Sequence, residues 1–225
     1  MQFTYFRGTK PLRLTPSTLI IVLLGLIISL LVIGWMTHAL RILKIEGRLF
    51  FITRIKSPKR FKLIAYHAVV PSVGTKLMVH RVCGVTGDFV EIKAGMLLVN
   101  GKNVDEELRL THVYKVSQDQ AASIVFRAED AYTIPPYHDT LYIPLEDRVV
   151  EKDQLSCSRY ILPAGLRDEA IFRVYQKTWN PDNFGPLRVP AGKFFVLGDN
   201  RGKAQDSRYL GLIERTKIVG TVLWK

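Results

Sequence analysis

The chain has 225 residues, with 32 Lys and Arg against 20 Asp and Glu, a net charge of +12 and two cysteines. This length is enough for one membrane segment and one soluble body that buries a core, and the lack of repeats or low-complexity tracts excludes the repeat and disordered classes. Cys83 and Cys157 stand in no CxxC or Cys/His cluster, so we expect no metal site and no cofactor. Whether the two cysteines pair stays open, because sequence does not place their Cα atoms.

The first predicted element is a transmembrane helix at residues 17–38, after an N-terminal tail of residues 1–16. No residue between Arg13 and Arg41 carries a fixed charge, and Leu19–Thr37 is almost wholly apolar. About 20 helical residues span the bilayer core. A cleaved signal peptide is the alternative, but its apolar core is usually about 7–15 residues long. Three cations precede this segment and three follow it closely, so the positive-inside rule assigns no orientation.

A basic segment follows the helix. Residues 38–64 contain eight Lys or Arg against the single acid Glu46, with apolar residues such as Leu49 and Phe51 among them. Cations beside a bilayer attract anionic lipid headgroups, so we expect this segment to rest on the membrane surface. Nucleic acid is the other partner that a basic patch suggests, but no recognition motif accompanies it, and we expect none to bind.

The rest of the chain has the pattern of short strands separated by turns. Alternation and compact apolar runs predict strands at residues 60–68, 77–85, Phe89–Lys93, Met96–Val99, Lys193–Leu197 and 217–224. Ala94 and Gly95 join a predicted hairpin, and Asn100-Gly101 is typical of a type I′ turn, in which both central residues need a positive φ. Residues 105–180 are polar and rich in turns. The soluble body is therefore predicted to be mainly β.

Three stretches, in order, resemble the type I signal peptidases, membrane-anchored serine endopeptidases that cut secretory signal peptides. They are residues 80–102, which begin with His80 and include "VEI" and "LVNGK", residues 183–197, and residues 198–208. The motif residues of this resemblance that we expect to be structural are Gly87, Asp88, Gly198, Asp199, Asn200, Arg201, Ser207 and Arg208.

The resemblance implies a signal-peptidase-like antiparallel β-sheet or barrel body with one N-terminal transmembrane helix. Residues 39–104 and 183–225 would form the core of this body, and residues 105–182 an inserted β-rich region. It also implies a single-pass protein of the inner (plasma) membrane, with its body on the periplasmic or extracytoplasmic side.

The same resemblance places His80 at the position of the catalytic base. Bacterial members carry a lysine there, whereas the signal peptidases of the endoplasmic reticulum carry a histidine. Imidazole titrates near neutral pH, so it is a capable general base. In this interpretation Asp206 or Asp199 orients the imidazole. A histidine that simply packs within a strand is the open alternative.

The nucleophile is missing from the expected place. Aligning Gly47-Arg48 with the Gly-Asp pair of the family puts its serine near Ala39, and a shorter register puts it near Leu43. No serine occurs between Gly34 and Ser57, and Thr37 is the only hydroxyl close to the right place. Ala204 also stands where the family usually has a serine that orients the lysine.

Three functions remain open from the sequence. The first is a catalytically silent signal-peptidase-like protein that binds extended peptides, such as signal or pilin precursors, in a secretion or conjugation system. The second is an active, divergent peptidase in which Thr37 or an unexpected serine attacks and His80 is the base. The third is a structural membrane component, in contact with other secretion proteins, whose cleft is vestigial.

Overall fold

The computed structural model of the protein describes residues 16–45, 47–54, 57–117 and 140–224. The chain divides into two compact units, Met1–Arg41 and Ile42–Lys225. The first unit contains helix α1 (Pro16–Ala39), whose 24 residues make it about 36 Å long. Within it, Leu19–Thr37 is long and apolar enough to cross a membrane. The helix therefore forms where the apolar segment predicts it.

The second unit consists mainly of β-strands, and the first of them begins two residues before the unit does. They are β1 (Leu40–Ile45), β2 (Arg48–Thr53), β3 (Leu63–Val70), β4 (Gly74–Gly84), β5 (Phe89–Lys93), β6 (Met96–Val99), β7 (Lys102–Asn103), β8 (Thr111–Ser117), β9 (Thr140–Glu146), β10 (Ser158–Arg159), β11 (Phe184–Arg188), β12 (Lys193–Leu197), β13 (Ile213–Glu214) and β14 (Ile218–Trp224). Its helices are α2 (Asp147–Lys152), α3 (Glu169–Tyr175) and α4 (Ser207–Leu210), with a 3₁₀ turn at Arg215–Lys217.

Seven strands form the largest sheet, in the order β1-β2-β14-β3-β4-β12-β13. Every strand pairing whose register is described is antiparallel. Strand β4 lies inside this sheet, with β3 on one side and β12 on the other. Alternation along β4 puts Met78, His80 and Val82 on one face, where Met78 and Val82 join a core cluster with Tyr66 and Val196.

A second sheet has the order β11-β5-β6-β7 and packs its buried face into another core cluster, which includes Cys83, Leu97, Phe184 and Phe195. The predicted hairpin forms β5 and β6. Asn100 and Gly101, which follow β6, have φ values of 52° and 79°. Both are positive, as the Asn-Gly signal requires, so the predicted turn is confirmed.

The predicted inserted region contains a separate three-stranded sheet, in the order β10-β8-β9, and the helices α2 and α3. One face of this sheet buries a small core of Tyr114, Val116, Ile143 and Leu145. The fold of the second unit is therefore mainly antiparallel β, as the sequence predicts. Of the residues predicted to form this region, 118–139 lie outside the described residues.

Candidate functional site

His80 lies in the middle of β4, buried, with Ile64 of β3 opposite it in the register. Its Nδ1 is 2.8 Å from the phenolic oxygen of Tyr66, a fully buried residue of β3. Burial and the negative charge of Asp206 raise the pKa of Tyr66, so its hydroxyl keeps its proton at neutral pH. The partner of Nδ1 of His80 is therefore a neutral phenol.

Beyond the end of β12, Gly198 brings a loop close to the imidazole. A Cβ placed on Gly198 would lie 3.5 Å from Nε2 of His80 and only 2.2 Å from the Cβ of Ala204. Gly198 does not have a positive φ. Glycine is favoured here by space rather than by backbone conformation, because the methyl group of Ala204 occupies the place that a Cβ would need.

Asp206 lies at the base of the same loop and is completely buried. Its Oδ1 accepts hydrogen bonds from the backbone N–H and Nε of Arg208, and its Oδ2 accepts from Nη2 of Arg208 and the N–H of Gly198. Burial alone would raise the pKa of Asp206, but the charge and hydrogen bonds of Arg208, with a further contribution from His80, lower it. Asp206 is therefore an anion that holds Gly198 in place.

These bonds bear on the predicted role of Asp206 as the group that orients His80. Nδ1 of His80 shares its hydrogen bond with the hydroxyl of Tyr66, and the carboxylate of Asp206 accepts two from the guanidinium of Arg208. Asp206 still acts on His80 through its charge. Sequence reasoning missed Tyr66, whose only signal was that it is a phenol in a predicted strand.

The other motif residues tie the loop to its surroundings. Asp199, the alternative orienting group, accepts two hydrogen bonds from Arg81, at 2.7 and 2.6 Å. Arg201 donates two to Asp105, at 3.0 and 2.6 Å. The hydroxyl of Ser207 accepts the backbone N–H of Val196 at 2.9 Å. Charge-assisted bonds of this kind fix a loop in one geometry.

Two further motif residues lie at the turn before β5. Gly87 has a φ of 90°, a value that favours glycine. Asp88 accepts hydrogen bonds from Nε of Arg60, Nδ2 of Asn100 and the N–H of Val85. Although burial would raise the pKa of Asp88, these bonds lower it, with Arg60 contributing most. Asn200 completes the set, since its carbonyl accepts the N–H of Ala204.

The three-stranded sheet of the inserted region also binds the loop of residues 198–208. The N–H of Thr111, at the start of β8, donates to the carbonyl of Asp199, and the N–H of Arg201 donates to the carbonyl of Thr111, both at 2.9 Å. Next to them, Nδ1 of the buried His112 is 2.8 Å from Asp147. Burial lowers the pKa of His112, and this effect outweighs the opposing one of Asp147.

Thr37 and the two serines nearest in sequence to His80 lie in several places. Thr37 is in α1, in the N-terminal unit, where its hydroxyl donates to the carbonyl of Gly34 at 2.9 Å. Ser72 is in the turn between β3 and β4, before the first residue of β4, Gly74. Six residues, or about 20 Å of extended strand, separate Gly74 from His80. Ser57 is exposed, with its Oγ 3.5 Å from Nη2 of Arg215.

The remaining candidates for chemistry are metal-binding clusters and the two cysteines. The described ranges contain no group of three or more His, Cys, Asp or Glu side chains that would hold a metal ion. Cys83 and Cys157 are both free thiols: Cys83 is buried beside β5 and β6, and Cys157 packs on the inserted sheet. Burial raises the pKa of Cys83 to about 12, so this thiol is not a nucleophile at neutral pH.

Comparison with known proteins gives a consistent family. Residues 12–225 match the family model described as signal peptidase, peptidase S26. Signal peptidase I S of Bacillus subtilis is 28% identical over 144 residues, 64% of this chain and 48% of that protein. Signal peptidase IB of Staphylococcus aureus is 29% identical over 147 residues, 65% of this chain and 51% of that protein. The chain thus spans about half the length of these curated relatives.

A shorter stretch is more similar. Over 40 residues, 17% of this chain and 21% of the other, it is 60% identical to signal peptidase I T of Bacillus subtilis. Among solved structures, a crystal structure of a signal peptidase I from Enterococcus faecalis V583 is 23% identical. It matches 74% of this chain and 97% of that chain with a TM-score of 0.36.

Proposed function

This chain belongs to the signal peptidase family, peptidase S26, and we propose that it is a membrane-anchored, catalytically silent member that binds extended peptides. The observation that carries the proposal is the absence of any serine between Gly34 and Ser57, where the resemblance places the nucleophile. Without an attacking oxygen, a positioned imidazole has no group to deprotonate, and only residual rate enhancement of about 10³–10⁴ over water remains in a serine protease.

The open edge of β4 supports peptide binding. Both the N–H and the carbonyl of Val82 bond on the side of β3, to Lys62 and Phe61. Because backbone groups alternate along a strand, those of Leu77 and Val79 point to the opposite side. There β12 has already ended, at Leu197 opposite Arg81, and no strand of the described chain is in register with residues 77–79.

An extended peptide that adds to this edge would gain backbone hydrogen bonds without any cleavage chemistry. It would lie alongside the strand that carries His80 and close to the loop at Gly198. Signal-peptide-like or pilin-precursor-like segments have the extended, apolar character that suits such an edge. A secretion or conjugation apparatus is the setting we propose, with the body on the extracytoplasmic side of the plasma membrane.

The test uses the full chain in detergent micelles and a fluorescent signal-peptide segment. Fluorescence polarisation should show saturable binding, and mass spectrometry should show the peptide intact. Val79→Pro removes one N–H that faces the open edge and should weaken binding about 3- to 12-fold, the effect of one hydrogen bond. Val79→Ala keeps that N–H, so it is the matched control and should bind as the parent does, provided both variants keep the parent's thermal unfolding midpoint.

An active peptidase is the second candidate. It is favoured by the contact between Nδ1 of His80 and Tyr66, because the other ring nitrogen, Nε2, then lies on the side of the loop at Gly198. Peptide cleavage that His80→Ala abolishes would establish it and overturn the silent interpretation. Failure of the parent to bind the peptide at all would instead leave a structural membrane component with a vestigial cleft.

A further inference from the structure

Arg54 and residues 57–60, described residues of the crossover between β2 and β3, border two adjoining surface depressions that involve no residue of the His80 site. Their volumes are about 210 and 530 Å³, and both are lined by Pro58 and Arg215. Arg54 and Ser57 also line the smaller one, and Lys59 and Arg60 the larger one. We call these two hollows together the basic depression, and its cations are Arg54, Lys59, Arg60 and Arg215.

The charge of the basic depression has one sign. Four cations line it, and none of its lining residues is acidic. Arg60 has its own partner in Asp88, but among the described residues Arg54, Lys59 and Arg215 form no ion pair. Three cations that have no ion pair among the described residues, spread over two adjoining hollows, raise the local concentration of anions. Ser57, 3.5 Å from Arg215, adds a hydroxyl that an anion can also use.

Apolar surface on the same strands identifies the kind of anion. Arg54 directly follows β2, and β2 pairs with β14, which supplies the wall of the smaller hollow. Farther along this strand pair, Leu49, Phe51 and Trp224 are exposed, and the rings of Phe51 and Trp224 are 5.4 Å apart. Cations next to exposed aromatic and aliphatic side chains are typical of a surface that meets the headgroup layer of a membrane.

We propose that the basic depression binds the phosphate of an anionic phospholipid headgroup, with Arg54 and Arg215 as its principal cations. This site is separate from the edge of β4 and does not depend on peptide binding there. An arginine presents its donors in a planar fork that fits two phosphate oxygens. A bound headgroup would hold the crossover and the C-terminal strand β14 at the membrane surface.

Native mass spectrometry of the full chain in detergent tests this proposal by counting bound lipids. The probes are dimyristoyl phosphatidylglycerol, dimyristoyl phosphatidylcholine as a zwitterionic control, and inorganic phosphate as a competitor. The double variant Arg54→Gln/Arg215→Gln should weaken the tightest phosphatidylglycerol site about thirtyfold, since each cation near a lipid surface contributes about fivefold. The matched control is Arg148→Gln/Arg173→Gln, which removes two exposed arginines elsewhere and should leave that site unchanged.

The other outcomes contradict the proposal. Equal binding of phosphatidylcholine would mean that the site does not distinguish the charge of the headgroup. Equal losses in the two double variants would mean general attraction between the basic protein and an anionic lipid. Complete displacement of phosphatidylglycerol by low concentrations of phosphate would mean a free-anion site, and displacement by a short polyglutamate peptide would mean an acidic protein partner. Thermal unfolding midpoints of both double variants establish that each is folded, and peptide binding in the same variants separates this site from the edge of β4.

Discussion

The contact between Gly198 and Ala204 predicts the effect of a single methyl group on the loop beside His80. In Gly198→Ala the new Cβ would lie 2.2 Å from the Cβ of Ala204, well inside the separation of about 3.5–4.0 Å at which carbon atoms attract. Neither methyl group can rotate away, because each is bonded directly to the backbone. Relief therefore requires movement of the loop, and overpacking of this kind costs about 1–3 kcal/mol.

Urea unfolding of the full chain in detergent, followed by tryptophan fluorescence, measures this cost. Ala204→Gly removes the opposing methyl group and should by itself cost about 0.5–1 kcal/mol, the usual penalty of glycine. If the two methyl groups collide, the double variant should be more stable than the sum of the two single effects by about 1–2 kcal/mol. Strictly additive effects, or a Gly198→Ala variant as stable as the parent, would refute the reasoning.

Three further predictions concern buried groups that titrate or donate protons. Asp206→Asn should lower the free energy of unfolding by about 3–5 kcal/mol at pH 7, because it leaves Arg208 buried without its anion, and an effect under about 1 kcal/mol in urea unfolding would contradict this. In the parent, the pKa of Asp206 is lower in the folded protein than its ordinary value of 3.8. Its ionised carboxylate therefore contributes fully to the free energy of unfolding above pH 3.8, and this contribution is lost as the pH falls through the pKa of the folded protein. The pKa of His112 is lowered in the folded protein, so the unfolded chain binds a proton first and the parent should lose stability as the pH falls below 6.5. His112→Gln should flatten this dependence of the free energy of unfolding on pH. If parent and variant show the same dependence in urea unfolding between about pH 7.5 and 5.5, His112 is not its cause. Tyr66→Phe should cost about 1–3 kcal/mol and shift the ¹⁵N resonance of Nδ1 in His80, whereas an unchanged resonance would show that the hydroxyl is not its partner.

The elements that the sequence predicts well are those set by local patterns. The hairpin β5–β6 and the turn at Asn100-Gly101 depend on alternation and on residues that adopt a positive φ, and both are visible in a few consecutive letters. The strand Lys193–Leu197 and the apolar helix have similarly local signals. These elements therefore form with bounds close to those predicted.

Features that depend on distant residues were not visible in the sequence. Strands β8 and β9 pair across a separation of more than twenty residues, so no hairpin signal marks them. The contact of Tyr66 with His80 is diagonal between β3 and β4, and it depends on register and side-chain direction together. The need for glycine at position 198 likewise depends on the position of the Cβ of Ala204, which no local sequence pattern predicts.

The same distinction separates the evidence for the fold of this chain from the evidence for an activity. The most recognisable motif of the chain, at residues 198–208, is built largely from groups that hold structure: Asp199 binds Arg81, and Asp206 binds Arg208. Removing one partner of a buried pair is strongly destabilising whether or not the protein cleaves anything. The motif therefore predicts the fold, because stability alone requires these contacts. A nucleophile has no comparable structural duty, so the loss that we propose is compatible with an intact sheet, an intact loop at residues 198–208 and an open edge of β4.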